Sequence, residues 1–162
     1  MLRRKKVNKL NSIIGVKSYI FFFMIFNFTG IVVSQEIDYG KISELEVGES
    51  ITLKNDDRKD KLKYLGSILD DRGTTKFHIV TVFSTVQASR TVHGHSQVIF
   101  LGKDYQFLEN YELGLPEELP KRIENNALVF EFNNSKGESI EFKFIVGEDI
   151  PKLLCVSPND CY

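Results

Sequence analysis

Helical periodicity is almost missing from this chain after residue 35, and short β-rich runs separated by turn residues take its place. Seven runs stand out, at 50–54, 61–69, 75–86, 97–101, 106–113, 127–132 and 139–146. Several alternate apolar and polar side chains, the period of an antiparallel sheet with one wet face. In 139–146, Ile140, Phe142 and Phe144 fall on one side, with Glu141, Lys143 and Ile145 on the other. In 61–69, Leu62, Tyr64 and Ile68 share a side and Leu65 and Leu69 take the opposite one. The run 75–86 is apolar on both sides, as a central strand requires.

The punctuation between runs is equally β-like. Asp70-Asp71-Arg72-Gly73 is a hairpin signal, because Gly73 adopts positive φ without steric penalty. Residues 55–60 read as a charged turn, Asn125-Asn126 as a tight one, and Pro116 and Pro120 leave room for one helical turn at most. The pattern predicts an all-β fold, an antiparallel β-sandwich or small barrel of about seven strands. The similar spacing of the double-strand units 95–113 and 127–146 makes a propeller-like β-meander the alternative.

The first 34 residues obey different rules. Arg3, Arg4, Lys5, Lys6, Lys9 and Lys17, with no acidic residue among them, precede an aromatic-rich apolar run at 19–33. As a helix that run would span ~22 Å, short of a ~30 Å hydrocarbon core. Val32 and Ser34 supply the small residues of a cleavage site. Residues 1–34 therefore read as a signal peptide and Gln35 as the first mature residue, with a retained membrane anchor as the alternative. In both cases 35–162 is a single exported domain, periplasmic, cell-surface or secreted, and the membrane is met only through an uncleaved leader.

Charge narrows the partners. The chain carries 21 basic and 22 acidic residues, and the leader holds six of the former and none of the latter. Residues 35–162 thus carry 15 against 22, a net charge of −7. Such a domain repels phosphate backbones, so nucleic acid is not an expected partner. Cys155 and Cys161 flank Ser157-Pro158-Asn159-Asp160, and in an oxidising compartment this spacing predicts a disulfide over a turn. Such a ring constrains the unfolded chain by about 2.4 kcal/mol on the loop-entropy argument.

Proton-transfer or ligand chemistry would have to come from the histidines. His93 and His95 flank Gly94, and an antiparallel return of the run that holds His78 would place three nitrogens together for Zn²⁺ or Cu²⁺. Gly94 argues for a bend there instead, and 98–101 offers no further ligand. Ser84, Ser89 and Ser96 lack a nucleophile elbow, so no catalytic residue is assigned. The pairs Asp56-Asp57, Asp70-Asp71 and Glu117-Glu118 sit in polar turns and read as solvated. Tyr39, Tyr105 and Tyr162 are the aromatics expected at the surface, and Asn133-Asn134-Ser135 matches a glycosylation acceptor in a turn.

The expectation is a non-catalytic exported domain, without a cofactor, that binds a protein or envelope component through loops and sheet edges. Tyr105, Glu117 and Glu118 are its candidate binding residues, the last two presented by Pro116 and Pro120. One alternative is a metal-binding or metalloenzyme domain using His78, His93 and His95. Another is an inhibitor or immunity protein with an acidic binding face.

Overall fold

Turn chemistry and alternation produce ten antiparallel strands in the computed structural model, which describes residues 37–88, 91–133 and 136–162. The proposed leader, 1–34, and its cleavage before Gln35 lie outside the described residues, as do Asn134 and Ser135 of the glycosylation pattern. No helix among the described residues is long and apolar enough to cross a membrane. The fold is all-β.

Strands β1 (Ser50–Asn55), β2 (Arg58–Leu69), β3 (Thr75–Ala88), β4 (Thr91–Leu101) and β5 (Phe107–Leu113) form a five-stranded sheet in sequence order. Strands β6 (Arg122–Glu124), β7 (Ala127–Asn133) and β8 (Ser139–Ile145) form a second sheet, and β9 (Cys155–Ser157) pairs with β10 (Asp160–Cys161). The units 95–113 and 127–146 fall in different sheets. One core joins them: Leu65, Ile68, Phe77, Ile79, Val98, Phe100, Tyr111 and Leu113 from the first sheet meet Leu128 and Phe130 from the second. Val146, Leu154 and Val156 close it, and the Cys155–Cys161 disulfide (S–S 2.02 Å) ties the terminal hairpin beside them.

Strand β3 is central and buried on both faces, as its composition requires: Phe77 and Ile79 look into the core, while Val80 and Val82 are fully buried opposite. On that second face Leu62, Ile99 and Leu101 are also sequestered. The short 3-10 turn Tyr39–Glu44, started by Asp38 accepting from Gly40 N at 3.1 Å, contributes the buried Ile42, and Tyr39 stacks on Phe107.

The hairpin turns follow the sequence. Asp70 Oδ1 accepts from Arg72 N (2.8 Å) and Thr74 N (2.9 Å), and Gly73 takes a φ of 75°. The charged turn is narrower than residues 55–60, because Asn55 already pairs with Arg58 and Asp56-Asp57 alone turn the chain. On the outer face of the second sheet, Arg122 binds Glu124, Glu131 and Glu141, and Lys143 bridges Glu124 (2.6 Å) and Glu141 (3.2 Å). This half-exposed network covers the buried Val129; as a surface network its worth lies in strand register more than in net stability.

Candidate functional site

A single extra residue in β2 builds a largely buried cluster of hydrogen-bonded side chains. The ladder runs from Tyr64↔Val80 to Gly66↔Ile79, so Leu65 is bulged out, with Gly66 at a φ of 119°. A bulge reverses the parity of everything after it. Tyr64 and Ser67 consequently share a face, Ser67 directly opposite His78, while Ile68 turns into the core with Leu65. The assignment of Ile68 to the side of Leu62 and Tyr64 is corrected by this bulge.

His78 Nδ1 lies 2.8 Å from Tyr64 Oη and 3.1 Å from Ser67 Oγ, and those two hydroxyls are 3.1 Å apart. The imidazole stacks on Tyr105 with centroids 4.1 Å apart, and Tyr105 is held there by a φ of 61° in the loop between β4 and β5. Burial pushes the His78 pKa below its ordinary value, and a hydrogen bond with the Lys103 backbone partly opposes this. The neutral ring accepts from hydroxyls on one side and meets backbone on the other. A serine and a base thus stand at transfer distance, but no carboxylate orients the ring and Tyr64 competes for its nitrogen. The arrangement clamps the β4–β5 loop onto the sheet.

A pH dependence follows, with a definite sign. The unfolded chain protonates His78 near 6.5 and the folded chain only at lower pH. The stabilisation is therefore complete above that value and is lost as pH falls from it towards the folded pKa. As pH is lowered from 7 to below the ordinary histidine value of about 6.5, the urea midpoint should fall more for the natural protein than for His78→Phe, because only the natural protein must protonate a buried imidazole. Parallel losses in both would show that this ring is not the sensitive group.

The other two histidines stand elsewhere. Gly94 does not bend the chain: His93, Gly94 and His95 pair with Val86, Thr85 and Ser84 in an unbroken ladder. Its missing side chain makes room for the Phe83 ring, which a Cβ there would meet at 3.1 Å. His78 pairs with Leu101 and lies six positions along β3 from Ser84, so about 20 Å separates its row from that of His95. The proposed convergence of His78, His93 and His95 on Zn²⁺ or Cu²⁺ is thus overturned by the register. Among the described residues no three His, Cys, Asp or Glu side chains are placed to hold a metal ion. Ser96 is buried and His95 exposed, on opposite faces. The buried Asp60, which sequence reasoning assigned to a turn, stands in the row Asp60–Ser84–His95. Arg58 occupies that carboxylate at 2.8 Å and reaches Ser84 Oγ at 3.3 Å, and serine rather than histidine is the middle member.

The aromatic and carboxylate candidates divide. Tyr39 and Tyr105 are half-buried in stacks with Phe107 and His78, and Tyr162 donates to Glu118 at 3.1 Å. Glu118 also accepts from Leu115 N at 2.9 Å, so it caps the Pro116–Glu118 turn and latches the terminal residue. Glu118 is thus half-buried and engaged within the domain, whereas Glu117 is exposed.

Sequence reasoning missed a groove beside β5, one of the two edge strands of its sheet. Its volume is about 660 Å³, and it is lined by Glu109, Asn110, Tyr111 and Glu112 with Ile150, Pro151, Lys152 and Tyr162 opposite. Burial, then the neighbouring Glu109 charge, push the Tyr111 phenol up to about 12, so it stays protonated and donates to the Pro151 carbonyl. That bond fixes the far wall. The signal available in the sequence was the absence of any Lys, Arg or Pro from 107–113, unusual for an outer strand. Comparison with known proteins finds no family model that matches this chain, no curated protein related to it and no solved structure similar to it.

Proposed function

We propose that residues 35–162 form an exported, non-catalytic β-domain that binds a protein or cell-envelope component. The reading rests on one observation: exposed apolar side chains gather at both ends of an outer strand. Phe107 (46%) and Leu108 (37%) open β5, and Leu115 (57%) lies two residues past its end. Apolar groups beside an unpaired strand edge suit contact with another molecule. The sandwich form of the domain is supported by the core fed from both sheets and by the linear strand order, whose outer members β1 and β5 do not pair. An inhibitor or immunity role is the narrower form of the same reading, favoured by the carboxylates of Glu109 and Glu112 along that edge.

Photo-crosslinking in cells that express the full chain tests this. A photoreactive residue at Leu108 or Leu115 should give a discrete adduct of higher mass in the envelope or medium. The same residue at Val47, 71% exposed near the opposite edge of the sheet, should give none. Absence of an adduct at both Leu108 and Leu115 removes the reading.

A further inference from the structure

We infer that the open edge of β5 takes an extended, basic segment of a partner protein as an added strand. This deepens the binding-domain reading and rests on it. Successive side chains of a strand point to opposite faces. Four consecutive residues, Glu109 to Glu112, can therefore line one groove only where that groove looks onto the strand's edge. The edge's own hydrogen-bonding groups face it. Asn110 N donates to Glu109 Oε1 at 3.0 Å and not to β4, so Asn110 points outward, and two-residue alternation points Glu112 outward as well. A side-chain carboxylate holding an edge N–H on the surface is readily replaced by a peptide carbonyl.

Composition then selects the occupant. Natural sheets guard their edges with cations or proline. Among the outer strands of the two larger sheets, β1 carries Lys54, β6 Arg122 and β8 Lys143, whereas β5 carries two glutamates and no cation. Lys152 is the one cation lining the groove. A second copy of this chain is disfavoured: pairing two β5 strands brings four glutamates and no cation into one two-stranded ribbon, and like charges on neighbouring strands are destabilising. A strand with Lys or Arg at two positions three apart meets both carboxylates, one on each face. Main-chain bonds to Asn110 and Glu112 supply the pairing, and the charges supply the choice.

The test uses isotope-labelled protein purified after expression of the full chain. Its probes are capped octapeptides of Val and Thr with two Lys three positions apart, and the same peptides with Glu in place of Lys. The Lys peptides should shift the amides of Asn110 and Glu112 and protect them from exchange, and the Glu peptides should bind about tenfold more weakly or worse. Glu109→Lys with Glu112→Lys, both on the surface, should invert that preference. Asn110→Pro keeps both carboxylates and removes the edge donor, so it should abolish binding of the Lys peptides. Should Asn110→Pro fail to fold by circular dichroism, the inversion and the amide protection decide. Binding unaffected by a folded Asn110→Pro, shifts centred away from β5, or no saturable binding overturns the inference. Protection of the same amides in self-associated protein without peptide also overturns it, in favour of a second copy. A crosslinked partner at Leu108 alongside failure with the peptides would sink the strand-addition mode alone; the reverse pair of results would sink the wider reading.

Discussion

Phe100→Ala should destabilise the domain by about 3–5 kcal/mol, a large share of what a domain of this size possesses. Phe100 is fully buried in the middle of the shared core. Its ring meets Phe77 edge-on at 5.8 Å and Tyr111 at 5.5 Å, so truncation leaves a cavity against two aromatics that cannot both collapse into it. The melting temperature should fall by about 10–20 °C. Phe100→Leu, which keeps most of the volume, should cost about 1.5 kcal/mol or less. Tyr111 links this site to the groove, because its hydroxyl holds Pro151. The Ala variant should therefore also broaden amide signals along 150–152. A loss below about 1 kcal/mol would mean that the core collapses around the gap, and that the sheets are joined mainly at their margins.

The all-β class was legible because 75–86 and 139–146 obey simple alternation, and because Asp70 to Gly73 and Asn125-Asn126 are turn-formers on sterics alone. Phe142 and Phe144 pack on the core as their spacing demands. What escaped was set by long-range pairing. The bulge at Leu65 leaves a single local mark, Gly66, yet it moves Ile68 to the other face and brings Ser67 to His78. The start of β4 is polar and contains Gly94, so it looked like a bend; its ladder with β3 and the Phe83 ring make it a strand. Strand β6 is three residues long, too short for periodicity to register. Glu118 looked like a free loop carboxylate because the Tyr162 hydroxyl that engages it lies 44 residues away. The disulfide was legible since its partners are near neighbours in the sequence. The β5 groove was not, because its wall comes from 150–152 and no local pattern brings those residues to β5.

Asn126→Ala should show how the second sheet is fastened to the first. Asn125 and Asn126 both take positive φ, 49° and 59°, in the two-residue turn between β6 and β7. The Asn126 side chain then behaves as a fragment of strand: Oδ1 accepts from Leu69 N at 2.9 Å and Nδ2 donates to Leu69 O at 2.8 Å, at the last residue of β2. Its own carbonyl accepts from Val146 N at 2.9 Å. Asn126→Gly tolerates the backbone conformation and loses both side-chain bonds; at this solvent-reached site that should cost about 1–2 kcal/mol. Asn126→Ala loses the same bonds and adds left-handed strain, so the total should reach about 2–4 kcal/mol. Asn126→Asp keeps one acceptor but sets a carboxylate against the Leu69 carbonyl, and it should fall on the Ala side of Gly. Chemical denaturation of the three variants separates the terms. If Gly matches the natural protein while Ala is destabilised, the clasp on Leu69 contributes nothing and Asn126 is there for its backbone alone. If Gly and Ala fall together, the two bonds to β2 carry the effect.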